Sequence, residues 1–304
     1  MKESNNQDIN CEIPEWLTEI RNRSGDRYYS TSGHAWIRFH KWAFMRFPPH
    51  DISPVEKDEE RELFRTTKAA IISNHHLPKP GERTNAFLYL CRDKEYDISK
   101  LSANNRSKVR RGAKRLLVRR TSAAEIADKG YSCYRDTCIR NGIAPTSADA
   151  FRLKWRRGYA PATKEIWAAY AGDEIASIGI VWICGKWAEL FSTQSSNLYL
   201  KDYSNHVLFY EILHDLMLRE TIESVSYGLS SVQPNSKSDS LHHFKLSVNF
   251  EAVPVVREIR VNPLLRPIFS KTALKCTRML ENIFPNTRHL LAARGALELV
   301  VDNR

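Results

Sequence analysis

Three strand-like segments joined by tight turns place the strongest limit on what this chain can fold into. Residues 165–171, 175–185 and 186–194 are rich in β-branched, aromatic and small apolar residues, which is typical of strands. Gly172-Asp173 and Gly185-Lys186 stand at the two joins, and such dipeptides favour hairpin turns. The pattern therefore predicts a meander of three antiparallel strands.

The segments around the meander are predicted from turn residues, caps and apolar periodicity. Ser204 is the expected N-cap of a helix that is apolar on more than one face and is therefore buried. Ser102 or Asn104 is expected to cap an earlier helix, and Ser122 with Glu125 forms a capping box for the next one. The predicted helices cover 101–117, 122–141, 205–219, about 238–248 and 264 to the end, and the other predicted strands cover 67–75, 85–93, 224–230 and 250–261.

This order of elements predicts an α/β (α+β) fold in which a mixed, mostly antiparallel central sheet is covered by helices on both faces. A doubly wound nucleotide-binding fold is excluded, because its strands and helices alternate throughout. The expected division is an aromatic and basic N-terminal extension over 1–65, a core over 66–262 and a helical segment over 263–304. We find no internal repeat in the sequence.

The segment from Trp36 to Phe47 alternates aromatic and basic residues. It fits an interfacial membrane segment or a surface on which bases stack. It fits better a partly buried strand or helix that packs its aromatic rings and exposes its charges.

A net charge of +11 favours polyanionic partners such as nucleic acid, phosphorylated cofactors or anionic lipid. Arg106, Arg110 and Lys114 recur every four residues, and Arg111 and Arg115 form a second stripe beside them. Like charges at this spacing repel each other, so the helix predicts contact with a polyanion such as phosphate. A solvated helix face is the alternative.

Several classes of site are excluded or disfavoured. The six cysteines form no CxxC pair and predict reduced thiols rather than a zinc site. The adjacent histidines at 75–76 and 242–243 diverge, and no metal site is expected there. Neither a GxSxG elbow nor a P-loop occurs. A polar N-terminus and the lack of a long apolar run predict a cytoplasmic protein without a transmembrane segment.

Three stretches together resemble the GNAT superfamily of acyltransferases, in particular its Fem-type aminoacyltransferase branch. Residues 104–115 resemble the basic helix that opens the Fem-type acyltransferase domain, and residues 166–196 resemble its sheet. Residues 203–255 resemble its buried helix, its YGLSS-like strand and its closing element at Phe244, Lys245 and Phe250, with Asn249 where relatives often have glycine. The resemblance covers roughly residues 85–260.

The resemblance implies transfer of an acyl or aminoacyl group from acyl-CoA or aminoacyl-tRNA to an amine or hydroxyl, with a cell-envelope precursor among the candidate acceptors. Acyl-CoA is the expected co-substrate, and no bound cofactor is expected. Fem-type enzymes carry two GNAT-like domains, whereas this chain has room for one complete domain and an N-terminal fragment. Peripheral membrane contact is a further expectation from the aromatic segment.

The resemblance also implies where the donor and the reacting groups lie. The donor phosphates are expected at the start of the helix after the meander, where free N–H groups and the helix dipole attract anions. The loop before that helix has no glycine, so its backbone cannot approach a pyrophosphate as closely as in the usual pattern. The donor-binding candidates are Gln194, Lys201, Ser204 and Asn205.

Lys245 matches a lysine that lies near the reacting centre in Fem-type relatives, and Glu189 and Tyr227 lie on strands that face the cleft of this fold. These three residues are the candidate catalytic groups. The structural alternative for Lys245 is a helix lysine whose amine is exposed. For Glu189 and Tyr227 it is a half-exposed position on a strand. The competing hypotheses for the whole chain are a non-catalytic, basic nucleic-acid-binding protein and a peripheral membrane protein.

Overall fold

The computed structural model describes residues 28–31, 34–40, 42–156, 164–230, 236–266, 270–284 and 287–302. Within these residues, strands of one sheet follow the order β1-β2-β3-β4-β11-β5-β10-β9-β8-β7-β6. The strands are β1 Tyr28–Ser30, β2 Ala35–His40, β3 Ala43–Phe47, β4 Ile71–His76, β5 Ala86–Cys91, β6 Leu117–Thr121, β7 Lys164–Ala171, β8 Glu174–Cys184, β9 Trp187–Ser195, β10 Ser224–Leu229 and β11 Glu251–Val261.

Helices flank the sheet. They are α1 Lys57–Thr67, α2 Ala103–Ala113, α3 Ala123–Lys129, α4 Tyr131–Arg140, α5 Ala148–Arg156, α6 Ser204–Leu218, α7 Ser236–Ser247, α8 Lys271–Ile283 and α9 Arg288–Asp302. Short 3₁₀ turns cover Ile98–Lys100, Asn197–Asp202 and Pro263–Leu265. The mixed, mostly antiparallel sheet with its helices confirms the predicted fold class.

The meander is formed as predicted by β7, β8 and β9, which pair antiparallel in sequence order. Helix α6 then crosses the sheet and returns the chain to β10, which pairs parallel to β9. Eight side chains of α6 are buried, so the helix is covered on more than one face, as its sequence indicates. Its core neighbours include Tyr89, Trp167 and Leu190.

The first strands repeat this topology. β1, β2 and β3 pair antiparallel, α1 follows, and β4 pairs parallel to β3. The two sets of strands are joined by β11, which pairs antiparallel with β5 over Glu251–Val255 and with β4 over Val256–Val261. Sequence analysis finds no repeat here, because the repetition concerns the path of the chain and not its residues.

Four local predictions are corrected. The first basic helix ends at Ala113, and β6 follows where the helix was expected to continue. The helix expected over 122–141 is divided into α3 and α4 at Gly130, although Ser122 caps it as predicted. Helix α5 was not predicted. Ser204 is not the N-cap of α6: Tyr203 holds that position in the left-handed conformation, with φ 58°.

The aromatic segment is largely built into the core. Trp36, Phe44 and Phe47 are buried in the β2–β3 hairpin, and Trp42 is exposed. The stripe of exposed rings that a membrane or base-stacking surface needs is therefore not formed by these side chains. Among the described residues, no helix has both the length and the apolar character to cross a bilayer. Five cysteines are unpaired thiols, and Cys11 lies outside the described residues.

Candidate active site

The candidate active site lies where β9 and β10 part. The two strands pair only from Trp187 and Ser224 to Glu189 and Ser226, although both continue further. Beyond Ser226, β10 bulges against β5, and Gly228 adopts the left-handed conformation with φ 63°. A bulge of this kind turns the strand and redirects its side chains.

Glu189 lies at the last paired position and is 3% exposed. Burial raises the pKa of its carboxyl to about 8, and contacts with Ser226 and Lys245 only partly oppose that rise. Its Oε2 atom has no hydrogen-bond partner among the described residues. A carboxyl that binds its proton near neutral pH can serve as a general base or acid.

Lys245 enters the same space from α7 and is also 3% exposed. Its Nζ donates to the backbone carbonyl of Tyr227 at 3.0 Å and lies 3.9 Å from the ring centre of Tyr89. Burial lowers the pKa of the amine to about 8, although the Glu189 carboxyl opposes that shift. The lysine is therefore a buried member of the cluster, and the alternative of a helix lysine with an exposed amine is wrong.

Tyr227 completes the cluster from the bulge of β10. Its hydroxyl and the Thr193 hydroxyl are 3.0 Å apart, and this hydrogen bond connects the two strands after their backbones have parted. The ring packs edge-on against Phe209, with ring centres 5.0 Å apart. Burial raises the pKa of the phenol, so Tyr227 keeps its proton at neutral pH and can donate it in a hydrogen bond.

Of the donor-binding candidates, Ser204 and Asn205 lie in the first turn of α6, Lys201 lies in the preceding 3₁₀ turn and Gln194 lies near the end of β9. Three of their polar atoms are buried without a partner among the described residues: Gln194 Oε1, Ser204 Oγ and Asn205 Oδ1. Asn205 Nδ2 donates to Ser195 Oγ at 3.3 Å. Buried polar atoms without partners cost free energy unless a ligand or water satisfies them. The site therefore has unused hydrogen-bonding capacity.

A basic cradle adjoins this helix start. We use that name for the depression of about 140 Å³ lined by Arg111, Lys114, Arg115, Lys201, Asp202 and Tyr203. Helix α2 reaches it because Gly112 has no side chain: an added Cβ would lie 3.0 Å from the carbonyl oxygen of Asp202. Arg111 covers the Tyr203 ring, and Arg115 forms an ion pair with Asp202. Lysines and arginines at a helix start favour anions.

Only some of the basic residues predicted in the two stripes line the cradle. Arg106 donates to the carbonyls of Ser99 and Leu101, so part of its hydrogen-bonding capacity is used inside the chain. Arg110 is exposed but does not line the cradle. Arg111 and Lys114, which were predicted on α2, therefore meet Lys201, which was predicted in the donor loop.

His206 connects the cradle with the buried cluster. Its ring packs edge-on against Tyr203 and Phe244, with ring centres 5.8 Å and 5.2 Å away. Burial lowers its pKa to about 4, and the nearby charge of Lys108 adds to that shift. The imidazole is therefore neutral at pH 7, one helical turn from the donor loop.

The sequence and the structure of the chain were compared with those of known proteins. The sequence matches no protein-family model and no curated protein. In structure the chain is similar to FemX, with a TM-score of 0.56 and 12% identity over 84% of this chain and 93% of the FemX chain. The chain has a GNAT-like fold of the Fem type.

Two further similarities are weaker. The C-terminal domain of a putative lysylphosphatidylglycerol synthetase from Agrobacterium fabrum gives a TM-score of 0.49 and 14% identity over 76% of this chain and 84% of that domain. A tandem GNAT protein from the clavulanic acid biosynthesis pathway gives a TM-score of 0.42 and 10% identity over 76% of this chain and 81% of that chain.

Sequence analysis missed several residues of the candidate site. Tyr89, Thr193 and Ser226 surround the catalytic candidates, and His206 lies between them and the cradle. The side-chain alternation of β9 gives no signal for Thr193, because the pairing of β9 with β8 shifts by one residue between Leu190 and Ser192, and this irregularity separates Thr193 from Glu189. Tyr89 carries no signal either, because its role depends on where α7 places Lys245.

Proposed function

We propose that the chain is an acyltransferase that moves an acyl group from a phosphate-containing donor to an amine or hydroxyl. The observation that carries this proposal is the buried pair of Glu189 and Lys245 at the point where β9 and β10 part. Two ionisable groups with pKa values shifted to about 8 lie there in a water-poor space. Such shifts are typical of catalytic sites, and the GNAT-like fold supports acyl transfer as the reaction.

Each group has a role that fits its chemistry. Glu189 accepts the proton that the acceptor amine or hydroxyl loses as it attacks the acyl carbonyl. The Lys245 ammonium and the Tyr227 hydroxyl are the donors that stabilise negative charge on the carbonyl oxygen. The leaving group takes its proton from Glu189 or from water, which returns the site to its first state.

The basic cradle is the proposed place of the donor phosphates. Arg111, Lys114 and Lys201 supply charge there, and the unpartnered amide oxygens of Gln194 and Asn205 are further hydrogen-bonding groups that the donor can use. Acyl-CoA and aminoacyl-tRNA both carry phosphates, and acyl-CoA is the donor we propose. The glycine-free loop is consistent with binding by side chains more than by backbone N–H groups.

Donor binding is tested by calorimetry and thermal shift with acetyl-CoA, free CoA and aminoacyl-tRNA. A ligand at a hundredfold excess over its Kd stabilises the folded state by about 2.7 kcal/mol. We expect Lys114→Glu to weaken donor binding at least tenfold. The matched control Lys154→Glu, which changes an exposed lysine of α5, is expected to have little effect.

Transfer is tested with labelled donor and a panel of amines and alcohols. We expect Glu189→Gln to lower the transfer rate about a hundredfold or more while donor binding is kept. Unchanged transfer by Glu189→Gln would remove the proposed base. Tight tRNA binding that weakens steeply with salt, with no transfer from any donor, would favour the nucleic-acid-binding alternative.

A further inference from the structure

A second cluster with catalytic geometry lies in the N-terminal strands, apart from the site of Glu189. Both carboxylate oxygens of Glu59 lie near His34, with Nδ1–Oε2 at 2.8 Å and Nδ1–Oε1 at 2.9 Å. The other ring nitrogen of His34, Nε2, is 3.0 Å from Ser53 Oγ. A carboxylate, an imidazole and a hydroxyl in this order form a triad, which is recognised by geometry and not by position in the sequence.

The fold fixes the acid and the imidazole of this triad. Glu59 lies in the first turn of α1 and is 8% exposed. The Thr31 hydroxyl also donates to it, and Trp36 Nε1 donates to Thr31 Oγ1 at 3.3 Å. Because the carboxylate contacts only Nδ1, it holds the proton on that nitrogen and leaves the lone pair of Nε2 facing the serine.

Ser53 is open to solvent, and its hydroxyl oxygen contacts a cation. The residue is exposed to solvent, whereas the side chains of His34 and Glu59 are 8% and 7% exposed. Arg46 Nη2 donates to Ser53 Oγ at 2.6 Å, and this cation favours negative charge on the oxygen. Asp51 Oδ1 lies 2.6 Å from the same oxygen and competes with His34 for the hydroxyl proton.

Space for a substrate adjoins the serine. Pro54 and Val55, which follow it in the chain, line a groove of about 650 Å³ together with Phe64 of α1. The wall also carries charges of both signs: the cations include Lys57, Arg61 and Arg260, and the carboxylates are Glu56, Asp58, Glu60 and Glu258. A small ester with an apolar acyl group therefore has a surface next to the hydroxyl.

We propose that Ser53 is the nucleophile of a second acyl-handling site that takes small, activated carboxylic esters. Ser53 Oγ bonds to the ester carbonyl carbon while its proton passes to His34 Nε2. The bond to the leaving alcohol then breaks, and that alcohol takes the proton from His34. Water repeats the sequence on the acyl-serine and releases the acid. This inference does not depend on the proposed function of the Glu189 site.

The test is covalent labelling of the full chain with a fluorophosphonate, followed by intact mass and peptide mapping. Attack of Ser53 on phosphorus expels fluoride, so one equivalent of probe is expected on the peptide that holds Ser53. Ser53→Ala should remove this label, and Ser107→Ala, which changes an exposed serine of α2, should keep it. His34→Gln should slow labelling about a hundredfold.

Glu59 is a positioning residue, and Glu59→Gln tests it through the rate of labelling. We expect that rate to fall at least tenfold in a variant whose thermal unfolding shows a folded chain. Absence of label on Ser53 would overturn the proposal. So would labelling of His34→Gln at the wild-type rate, because the serine would then react without its base.

Discussion

The same strand topology occurs twice in this chain, with different contents at the point where the parallel strands part. β3 and β4 pair as far as Met45 and Ser73, and β9 and β10 pair as far as Glu189 and Ser226. In each case buried ionisable side chains lie at or just beyond the last pair: Arg46 in the first, and Glu189 with Lys245 in the second. The two groups differ in how many hydrogen bonds they make among the described residues.

The N-terminal gap holds Arg46, which is 0% exposed. Its guanidinium donates to Asn74 Oδ1, to the carbonyls of Ser53 and His75, and to the side chains of Asp51 and Ser53. The C-terminal gap holds Glu189 and Lys245. Among the described residues, Lys245 donates one hydrogen bond, to the carbonyl of Tyr227, and Glu189 Oε2 has no partner. Arg46 Nε also lacks a partner among these residues, although both terminal nitrogens of its guanidinium are bonded. The first gap is filled by a hydrogen-bond network around one cation, and the second by a carboxyl and an amine whose pKa values both lie near 8.

The largest expected change in the free energy of unfolding comes from removing the guanidinium of Arg46. Arg46→Met leaves the buried acceptors of Asn74 and His75 without their donor, so the free energy of unfolding should fall by about 3 kcal/mol. Urea unfolding measures it. Arg156→Met, which removes an exposed ion pair with Asp128, is the control and should cost less than about 1 kcal/mol. Equal losses in both variants would contradict the comparison.

Replacing the carboxyl of the other gap, in Glu189→Gln, should make the chain more stable than wild type by an amount that grows as pH rises. The pKa of Glu189 is about 8 in the folded chain against 4.5 as the ordinary value, so between these pH values only the folded state keeps the proton. Wild-type stability therefore falls with rising pH across this window, and Glu189→Gln removes that fall. The difference should grow by up to about 1.4 kcal/mol for each pH unit.

Urea unfolding from pH 5 to pH 8 tests this sign. The pKa of Lys245 is lowered to about 8, so its titration begins to affect stability only near the upper end of this range, and the slope is read between pH 5 and pH 7. Glu220→Gln changes an exposed carboxyl and serves as the control, with a difference that stays flat. A flat difference for Glu189→Gln as well would mean that the carboxyl is ionised in the folded chain.

The sequence predicts the second half of the chain well, because local signals agree with the final packing there. The hairpin turns, the alternation of β7 to β9 and the apolar faces of α6 all lead to the observed meander and buried helix. The site residues Glu189, Tyr227 and Lys245 follow from the family resemblance. Their shifted pKa values do not, since burial depends on the whole sheet.

The N-terminal strands are harder to predict, because their signals conflict. The segment of Trp36 and Phe44 mixes rings with charges and fits a membrane surface as well as a strand. Arg46 appears there as one more basic residue, and only the return of β4 and the loop around Asp51 shows that it is buried. Long-range contacts decide this half, and a single sequence does not display them.

A smaller effect is expected from the bulge that aims Tyr227. Gly228→Ala places a Cβ at φ 63°, which costs about 1 kcal/mol, and the new atom would lie 3.5 Å from Glu189 Oε1. Gly142→Ala is a matched control, since its φ is 67° and no atom lies within 4 Å of the added Cβ. Both variants should lose similar stability. Only Gly228→Ala should change how the free energy of unfolding depends on pH, because only its added Cβ lies near the Glu189 carboxyl. If both variants give the same pH dependence, the bulge does not affect the pKa of Glu189.

The smallest expected change in stability lies in the basic cradle, where charge is exposed. Arg115 pairs with Asp202 on the surface, so Arg115→Ala should lower the free energy of unfolding by less than about 1 kcal/mol, against about 3 for the buried Arg46. The same substitution should weaken donor binding by more than it lowers the free energy of unfolding. The exposed ion pair contributes little to folding, so Arg115 can exchange Asp202 for a donor phosphate. Calorimetry with CoA at two salt concentrations measures that effect. A variant that loses stability but keeps donor binding would make this charge structural, like that of Arg46.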